Sequence, residues 1–341
     1  MNNSNDLLIS ICITSYNRLH TLERCLNSIN SKYFDKIEIV VSEDCSPGRL
    51  QISEMVEKFR LNSPFKVIYN CNSENLGYDR NFKKLVNLSN GKYLLFVTDD
   101  DELIGSNIDD LIEVIPTLDD FSVAFTPYFD KSALKYERRH SKTFLLQRGM
   151  QSVIDYLYSS ILLSGLIFKK SDIPQYNEES LKDLIYSQVY VFASILKYND
   201  GYYINIPLIN YIGDGVNSFG KNDAFQKNEL LANRENYLSN LEFHIGLIKV
   251  IKFFDLNHRE NLMKKFAPEY SLRSFTGMFI AKKKGGNIGL DEYWRKMNSL
   301  DIHLSSISHV YYYFLKYFGY KISEFLFYPF KYFLKLYRSK N

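Results

Sequence analysis

Four consecutive acidic residues follow a run of strand-forming residues in the segment LFVTDDDELIG, residues 95–105: Asp99, Asp100, Asp101 and Glu102. Adjacent carboxylates repel one another, so such a cluster needs a compensating charge. A hard divalent cation would supply it, because Mg²⁺ and Mn²⁺ take oxygen ligands from one or two carboxylates together with substrate phosphates. The alternative interpretation is a solvated acidic turn that caps the helix expected to begin near Asn107.

Polar side chains also follow two earlier strand-like runs. TSYNR, residues 14–18, offers hydroxyl groups, an aromatic ring and a cation, and the pair Glu43 and Asp44 offers hydrogen-bond acceptors for a base or a ribose. Together with the acidic cluster, these groups would suit a nucleoside diphosphate. The sequence contains neither GxxxxGK[ST] nor GxGxxG, so the two common glycine-rich phosphate-binding motifs are excluded.

The elements that must position these residues are predicted by hydrophobic periodicity. Up to residue 127, amphipathic helical patterns alternate with the strand-like runs LLISICI, IEIVVS, FKVIYN, YLLFVT and FSVAFTP. This alternation predicts βαβ units and a mostly parallel sheet. Parallel sheets of this kind bind ligands at the carboxyl ends of their strands. We therefore expect the three polar segments to meet at one edge of an α/β sheet.

Composition narrows the class of protein. The chain has 341 residues, 45% of them hydrophobic, and a net charge of only +3, which gives no indication of nucleic-acid binding. No uncharged apolar run reaches the roughly 18 residues of a membrane span. The four cysteines form no CxxC pair and the start of the chain does not resemble a signal peptide, so we expect a protein of the reducing cytoplasm.

The chain resembles the family-2 glycosyltransferases of the GT-A fold. The resemblance lies in ISICITSYNRLHTLERCLNSI, IEIVVSEDCSP and ENLGYDRNFKKLVNLSNGKYLLFVTDDD, within about the first 125 residues. It is greatest for bacterial enzymes that decorate surface polysaccharides, including abequosyltransferase-like proteins. It implies a Rossmann-like GT-A catalytic domain over 1–221, with a nucleotide-binding half at 1–127 and an acceptor half at 128–221. A helical region would follow at 222–341.

The resemblance also implies roles for individual residues in binding a nucleotide-sugar. Thr14 and Tyr16 match residues that line the nucleobase pocket, and Asp44 matches an aspartate that hydrogen-bonds the base. Arg18 is a further candidate for donor binding, and Arg80 matches the arginine of an RN pair that begins the helix before the acidic strand.

The segment VTDDD matches the DxD region of the family. Thr98 stands where many members have the first aspartate, Asp99 falls near the ribose and Asp100 falls on the metal-binding aspartate. Either Asp100 or Asp101 would then hold Mn²⁺ or Mg²⁺, and the sequence leaves this choice open.

The family mechanism implies a metal that neutralises the leaving diphosphate and an acceptor hydroxyl that attacks with inversion, helped by a carboxylate base. Many members carry this base in an ED pair, but the corresponding stretch EESLKDLIYSQVYVF contains none, and Ser187 and Gln188 fall near the expected place. Asp183 is the nearest carboxylate, and Asp101 is its rival.

The sequence therefore predicts a metal-dependent inverting glycosyltransferase of cell-surface polysaccharide biosynthesis. The expected donor is a UDP-sugar, the expected acceptor is a glycan or a polyprenyl-linked glycan, and the absence of QxxRW favours addition of single sugars. One alternative is an inactive carbohydrate-binding relative, which the missing ED pair would explain. Another is a nucleotidyltransferase, although the expected Gly- and Lys-rich phosphate loop is missing.

The C-terminal stretch carries a separate signal. Residues 310–341 mix Tyr and Phe with six Lys or Arg and a single acidic residue, Glu324. A basic aromatic helix of this kind is typical of an element that lies in the interface of an anionic membrane. The alternative is a helix packed on the protein, its lysines reaching solvent. We expect a peripheral protein on the cytoplasmic face of the inner (plasma) membrane.

Overall fold

The computed structural model describes residues 7–176, 186–214, 238–300 and 302–340. These residues form two compact units, one holding the described residues up to 214 and the other those from 238 onward. The predicted boundary between residues 221 and 222 lies outside the described residues, and so do Asp183 and the neighbouring Glu178 and Glu179.

Twelve strands are found in the first unit. Their bounds in chain order are β1 Ile9–Ser15, β2 Ile37–Glu43, β3 Lys66–Cys71, β4 Tyr93–Thr98, β5 Glu102–Leu103, β6 Val123–Phe125, β7 Tyr128–Asp130, β8 Lys135–Glu137, β9 Phe144–Leu146, β10 Leu166–Lys169, β11 Gly201–Tyr203 and β12 Ile209–Tyr211. Eight of them form the main sheet in the order β3-β2-β1-β4-β10-β6-β11-β9. The four strands β1 to β4 pair in parallel, which confirms the predicted α/β class.

A smaller sheet has the order β5-β12-β7-β8. Its first strand begins at Glu102, directly after the three aspartates, and pairs antiparallel with β12 through Leu103 and Ile209. The acidic segment therefore joins the two sheets, because it leaves β4 of the main sheet and enters β5 of the smaller one.

Among the described residues up to 214, six α-helices accompany the sheets: α1 Leu19–Asn27, α2 Arg49–Asn62, α3 Tyr78–Leu88, α4 Gly105–Val114, α5 Met150–Tyr156 and α6 Ser187–Tyr198. Helix α3 begins after Gly77, whose φ of 78° lies in the left-handed region that glycine adopts without strain. Phe82 of α3 stacks on Phe96 of β4 with ring centroids 4.6 Å apart, and both side chains are fully buried. This packing fixes the start of α3 beside the carboxyl end of β4.

The second unit contains three helices, α7 Ser239–His258, α8 Leu262–Asn298 and α9 Ser306–Lys340. They confirm the prediction of C-terminal helices. Helix α8 is interrupted at Gly286 and α9 at Gly319, where φ is positive. Within the described part of the chain, none of the helices combines the length and the apolar character that a membrane span requires.

Candidate functional site

The carboxyl ends of β1, β2 and β4 meet at one edge of the main sheet. Thr14 of β1 lies beside Ser42 of β2 and Thr98 of β4 in the parallel register. The chain segments that leave these strands, which carry Tyr16, Asp44 and Asp99, therefore begin side by side. The hydrophobic periodicity predicted that these strand ends lie at one edge of the sheet, and the observed strand order confirms it.

A guanidinium group lies against the acidic cluster. Arg18 Nη1 lies 2.7 Å from Asp99 Oδ1 and 3.3 Å from Asp100 Oδ2, so one nitrogen contacts both carboxylates. Asp99 is only 2% exposed. Burial raises the pKa of Asp99 to about 6, while the charge of Arg18 lowers it and the charge of Asp100 raises it. Arg18 therefore supplies part of the charge compensation that the cluster requires.

One carboxylate oxygen of the cluster lacks a partner. Asp99 Oδ2 and Ser15 Oγ are both buried without a hydrogen bond. The Ser15 hydroxyl lies close enough to Asp99 to lower its pKa, but it does not reach hydrogen-bond geometry. A buried carboxylate oxygen without a donor is costly unless a ligand completes it. Asp99 and Asp100 therefore fit a divalent cation that takes oxygen ligands.

The described residues contain no group of three or more His, Cys, Asp or Glu side chains that could hold a metal by themselves. A cation held by Asp99 and Asp100 would thus depend on further oxygen ligands from a bound molecule. Mg²⁺ in particular is usually bound by one or two carboxylates together with substrate phosphates. The donor set at this edge therefore suits a cation that arrives with a diphosphate.

Asp101 has a different environment from its two neighbours. Its Oδ2 accepts hydrogen bonds from Ser164 Oγ (2.6 Å) and Thr98 Oγ1 (2.9 Å), and its Oδ1 accepts one from the amide of Ile212 (3.0 Å). Burial raises the pKa of Asp101 to about 6, and the bond from Ser164 lowers it. Asp101 thus connects the acidic segment to the residues before β10 and after β12, which favours Asp100 as the metal ligand.

Asp44 organises a loop as well as lying at the site. Its Oδ1 accepts hydrogen bonds from Asn72 Nδ2 and from the amide of Leu76, both at 2.8 Å, and its Oδ2 accepts one from the amide of Gly77 at 2.9 Å. The residue is 4% exposed. The carboxylate therefore shapes the loop that leads into α3, which the resemblance did not include among its roles.

The remaining predicted donor-site residues surround this loop. Thr14 and Tyr16 are both half-buried, at the end of β1 and just after it. Arg80 lies in the first turn of α3, and its Nε donates to the carbonyl oxygen of Leu76 at 2.9 Å. Arg80 and Asp44 thus contact the same loop, since both hydrogen-bond Leu76.

Asn81, the second residue of the RN pair, belongs to a network of side-chain amides beside Asp44, and the sequence did not indicate this network. Asn81 Oδ1 accepts from Ser42 Oγ at 2.6 Å and from Asn72 Nδ2 at 3.0 Å, while Asn81 Nδ2 donates to the carbonyl oxygen of Ser42 at 3.1 Å. These buried groups connect β2 to α3. The sequence signal that could have indicated this network was the presence of polar residues at the end of β2, at the end of β3 and at the start of α3.

A second arginine connects the acidic segment to the end of β12. Arg24 of α1 binds Asp214 in a bidentate manner at 2.7 and 2.8 Å, and its Nη2 also donates to the carbonyl oxygen of Asp100 at 2.9 Å. Arg24 Nε lies 3.4 Å from Glu102. This arrangement was also missed, because 190 residues separate Arg24 from Asp214.

The place where the resemblance implies the catalytic base is occupied by two uncharged residues. Ser187 and Gln188 begin α6 and are buried. The amide of Ser187 donates to Asp79 Oδ1 at 2.9 Å, and Gln188 Oε1 accepts from the Tyr78 hydroxyl at 2.9 Å. The start of α6 is therefore tied to α3. The other candidate, Asp183, lies outside the described residues and stays a prediction.

Arg138 is a half-buried cation beside the acidic segment that sequence reasoning also missed. Its Nη2 donates to the carbonyl oxygen of Leu162 at 2.7 Å, its Nη1 donates to that of Ser164 at 3.3 Å, and its guanidinium lies 5.3 Å from the ring centroid of Tyr128. Burial lowers the pKa of Arg138 to about 10, while Tyr128 and Asp101 raise it. Arg138 therefore brings positive charge to the side of the cluster that faces the smaller sheet.

Comparison with known sequences gives these residues a context. The model of the family described as Glycosyl transferase family 2 matches residues 10–172. An abequosyltransferase, RfbV of Salmonella typhimurium, is 46% identical over 99 residues, which are 28% of this chain and 29% of that protein. A GalNAc(5)-diNAcBac-PP-undecaprenol beta-1,3-glucosyltransferase of Campylobacter jejuni is 25% identical over 186 residues, 50% of this chain and 55% of that protein. The chain thus spans less than two thirds of the length of either relative.

Solved structures give the same fold over a longer range. The structure of residues 1–349 of TarS from S. aureus is similar with a TM-score of 0.52 at 15% sequence identity, and the match covers 91% of each chain. The complex of the same TarS fragment with UDP-GlcNAc has a TM-score of 0.50 at 16% identity, covering 91% of this chain and 90% of that one. The predicted resemblance and the predicted fold are both confirmed: residues 10–172, which hold the joined ends of β1, β2 and β4, match the model of Glycosyl transferase family 2, and the fold is GT-A.

Proposed function

We propose that this chain is a metal-dependent inverting glycosyltransferase, which moves a sugar from a nucleotide-sugar to an acceptor of bacterial cell-surface polysaccharide. The observation that carries the proposal is the acidic pair Asp99 and Asp100, which faces Arg18 at the joined strand ends of a family-2 domain. The names of the two curated relatives support a transferase of envelope sugars.

The proposed donor is a UDP-sugar. The TarS fragment of the same fold is solved in complex with UDP-GlcNAc. The strand ends of this chain offer hydroxyl groups, an aromatic ring and carboxylates, which suit a nucleoside diphosphate. Tyr16 and Thr14 would line the base pocket beside the loop that Asp44 organises. The ribose would lie near Asp99, and the diphosphate would lie against Asp100 and Arg18.

The proposed cation is Mn²⁺ or Mg²⁺, held by Asp100 with Asp99 nearby. When bound, it would neutralise charge that develops on the leaving diphosphate. Arg18 is within reach of the same charge, and guanidinium groups bind phosphate oxygens with two parallel hydrogen bonds. Asp101 would hold the acidic segment in place through Ser164 and Ile212.

Transfer with inversion requires a base that accepts the proton of the acceptor hydroxyl. Asp183 remains our proposed base, and Asp101 is the second candidate, since burial raises its pKa to about 6. The three hydrogen bonds that Asp101 accepts favour Asp183 for this role.

The proposed acceptor is a glycan, free or linked to a polyprenyl carrier. The name of the Campylobacter relative includes an undecaprenol-linked glycan. Helix α9 of this chain also exposes six large apolar side chains between residues 313 and 326, and this surface is termed the aromatic face: Tyr313, Tyr317, Phe318, Ile322, Phe325 and Leu326. With the surrounding basic residues, the aromatic face would hold the protein peripherally at the cytoplasmic surface of an anionic membrane.

The test is donor binding and turnover of a panel of UDP-, GDP-, dTDP- and CDP-sugars, each with Mn²⁺ and with excess EDTA. We expect one UDP-sugar to be bound and slowly hydrolysed only with Mn²⁺. Asp100→Asn should weaken that Mn²⁺-dependent binding at least about tenfold. Asp110→Asn is the matched control, because Asp110 is an exposed aspartate of the neighbouring helix α4.

Two results would contradict the proposal. Full turnover in excess EDTA would exclude a metal-dependent mechanism. Binding of a nucleotide-sugar without any hydrolysis or transfer, in the presence of Mn²⁺ and candidate glycan acceptors, would favour the inactive carbohydrate-binding relative, which the uncharged pair Ser187 and Gln188 already suggests.

A further inference from the structure

One guanidinium nitrogen holds the two carboxylates that the proposed cation needs. Arg18 Nη1 is 2.7 Å from Asp99 and 3.3 Å from Asp100, and the three side chains are 19%, 3% and 11% exposed. The contact is thus nearly shielded from water, where charge-assisted hydrogen bonds are strongest. Arg18 thus lies between these two carboxylates.

We infer that Arg18 is an internal counter-cation that competes with the divalent metal for Asp99 and Asp100. A divalent ion would bind these carboxylates only when Arg18 leaves them, and the diphosphate of the donor would then receive the guanidinium. This inference rests on the proposed function, since it assumes that Asp100 and Asp99 form the metal site.

Electrostatics prevents the two cations from sharing Asp99 Oδ1 and Asp100 Oδ2, the two oxygens that Arg18 contacts. A guanidinium and a divalent ion on the same carboxylate oxygens would lie within about 4 Å of each other, where like charges in a low-dielectric site repel strongly. Conversely, the carboxylates cannot stay buried and charged with neither cation present, because uncompensated buried charge is very costly. One cation must therefore replace the other.

One carboxylate oxygen of Asp99 has no hydrogen-bond donor, and this favours a metal ion over Arg18 as its partner. Arg18 contacts Oδ1 of Asp99, while Oδ2 is buried without a hydrogen bond. A divalent ion accepts oxygen ligands from several directions, so it can satisfy oxygens that a single guanidinium nitrogen does not reach. A donor diphosphate adds both further ligands for the ion and an anionic partner for the displaced Arg18.

The expected consequence is that metal and donor bind together. Metal alone must displace Arg18 from the two carboxylates without compensation, whereas metal with a diphosphate brings an anion that the guanidinium can bind. We therefore expect weak binding of Mn²⁺ in the absence of nucleotide, and we expect removal of the guanidinium to relieve this competition.

The experiment measures Mn²⁺ affinity without nucleotide, at pH 8, from the electron paramagnetic resonance signal of free Mn²⁺. Arg18→Gln should bind Mn²⁺ at least about tenfold more tightly than the unaltered protein. Arg24→Gln is the matched control. Arg24 is also a cation at the acidic segment, but it contacts the carboxylates of Asp214 and Glu102 and the backbone carbonyl oxygen of Asp100. It does not contact the carboxylates of Asp99 and Asp100, so Arg24→Gln should change the Mn²⁺ affinity less than about threefold.

Equal or weaker Mn²⁺ binding by Arg18→Gln would overturn the inference while leaving the proposed metal site intact. An equal gain in Arg24→Gln would also overturn it, because the effect would then be one of net charge. Absence of Mn²⁺ binding in every protein, even with UDP, would instead remove the proposed metal-dependent function.

A second measurement uses the unaltered sequence and is independent of how well Arg18→Gln folds. In protein labelled with ¹⁵N-arginine, Mg²⁺ with UDP should shift the Nε–H resonance of Arg18, which Arg18→Lys identifies by its loss. Mg²⁺ alone should shift this resonance less at the same concentration. An Arg18 resonance that stays unchanged with Mg²⁺ and UDP, under conditions where UDP is bound, would show that the guanidinium does not move.

Discussion

At the scale of single residues, Asp44 combines two tasks that the sequence suggested as one. The resemblance implies contact with the nucleobase, and the structure adds three hydrogen bonds to the chain itself, two of them from the amides of Leu76 and Gly77. The proposed base pocket and the loop that leads into α3 would therefore depend on the same carboxylate.

We predict that Asp44→Ala weakens UDP binding at least about tenfold and lowers the free energy of unfolding by about 1–3 kcal/mol, because Asn72 and the amides of Leu76 and Gly77 lose a buried acceptor. Calorimetric titration with UDP and Mn²⁺ and urea unfolding would measure the two effects. Asp35→Ala, at an exposed aspartate of a surface turn, is the control. Unchanged UDP affinity in a folded Asp44→Ala protein would place the base elsewhere.

At the scale of elements, the first strands are joined by one buried carboxylate. Glu38 of β2 has a side chain that is fully buried, and it accepts hydrogen bonds from Ser10 of β1 at 2.7 Å, from Lys66 of β3 at 2.9 Å and from Asn90 before β4. Burial raises the pKa of Glu38, but the bonds from Lys66, Ser10 and Asn90 outweigh it, so the pKa lies below its ordinary value.

The sign of this shift gives a pH dependence. A carboxylate whose pKa is lower in the folded state stabilises the protein above its ordinary pKa, and this contribution is lost as the pH falls through the folded value. We predict that Glu38→Gln lowers the free energy of unfolding by about 1–3 kcal/mol at pH 7 and by less near pH 3. Urea unfolding at both pH values measures this, and an equal loss at both would exclude an ionised Glu38 as the cause.

A glycine sets the approach of β1 to β4. A Cβ atom at Gly91 would lie 2.6 Å from the amide nitrogen of Ser10 and 2.7 Å from the carbonyl carbon of Ile9, which are backbone atoms that cannot turn away. At Gly48 the nearest such atom is the side-chain oxygen of Gln51 at 3.6 Å, an ordinary contact.

We therefore predict that Gly91→Ala lowers the free energy of unfolding by about 1–3 kcal/mol, as overpacking does in cores, whereas Gly48→Ala changes it by less than about 0.5 kcal/mol. Thermal or urea unfolding of the two variants would show this difference. Equal stability of both would mean that β1 and β4 separate at that point without cost.

At the scale of the whole molecule, helix α9 has both of the features that the sequence offered as alternatives, a packed surface and an exposed apolar surface. Tyr311 and Leu315 are buried, and Tyr311 meets Phe275 of α8 with ring centroids 5.2 Å apart. The aromatic face lies on the same helix, with Tyr317 74% and Phe325 79% exposed. Some residues of α9 thus pack on its own unit, while those of the aromatic face are exposed.

Because α9 contributes to this packing, substitution of its exposed residues is a sharper test than removal of the helix. We predict that replacing Tyr317, Phe318 and Phe325 together by Ser lowers affinity for vesicles containing phosphatidylserine at least about tenfold, since apolar area would no longer leave water. UDP binding should not change. Sedimentation with vesicles measures the first effect and calorimetry the second.

Leu61→Ser, at an exposed leucine of α2, is the control for loss of an exposed apolar side chain. Binding of the unaltered protein should also weaken as salt rises, because basic residues near an anionic surface are screened. Full vesicle binding by the triple variant, or none by the unaltered protein at low salt, would leave α9 with a packing role alone.

The sequence by itself determined the alternation of strands and helices up to β4, the parallel sheet and the joint edge formed by Thr14, Asp44 and Asp99. Apolar periodicity reports which face of each element is buried, and parallel strands bring their carboxyl ends together without further information. The motifs around these strand ends also sufficed to indicate the family.

Only the tertiary structure decided which partner each charged group has. Asp99 and Asp101 are two residues apart, but Asp99 meets Arg18 while Asp101 meets Ser164, 63 residues later. Arg24 finds Asp214 across 190 residues, and Arg138 finds the carbonyl oxygens of Leu162 and Ser164. Such pairings follow from strand order and from the path of the chain between the two sheets, and local periodicity encodes neither. A carboxylate interacts with any donor that the fold brings within about 3 Å, so its partner is known only when the fold is known.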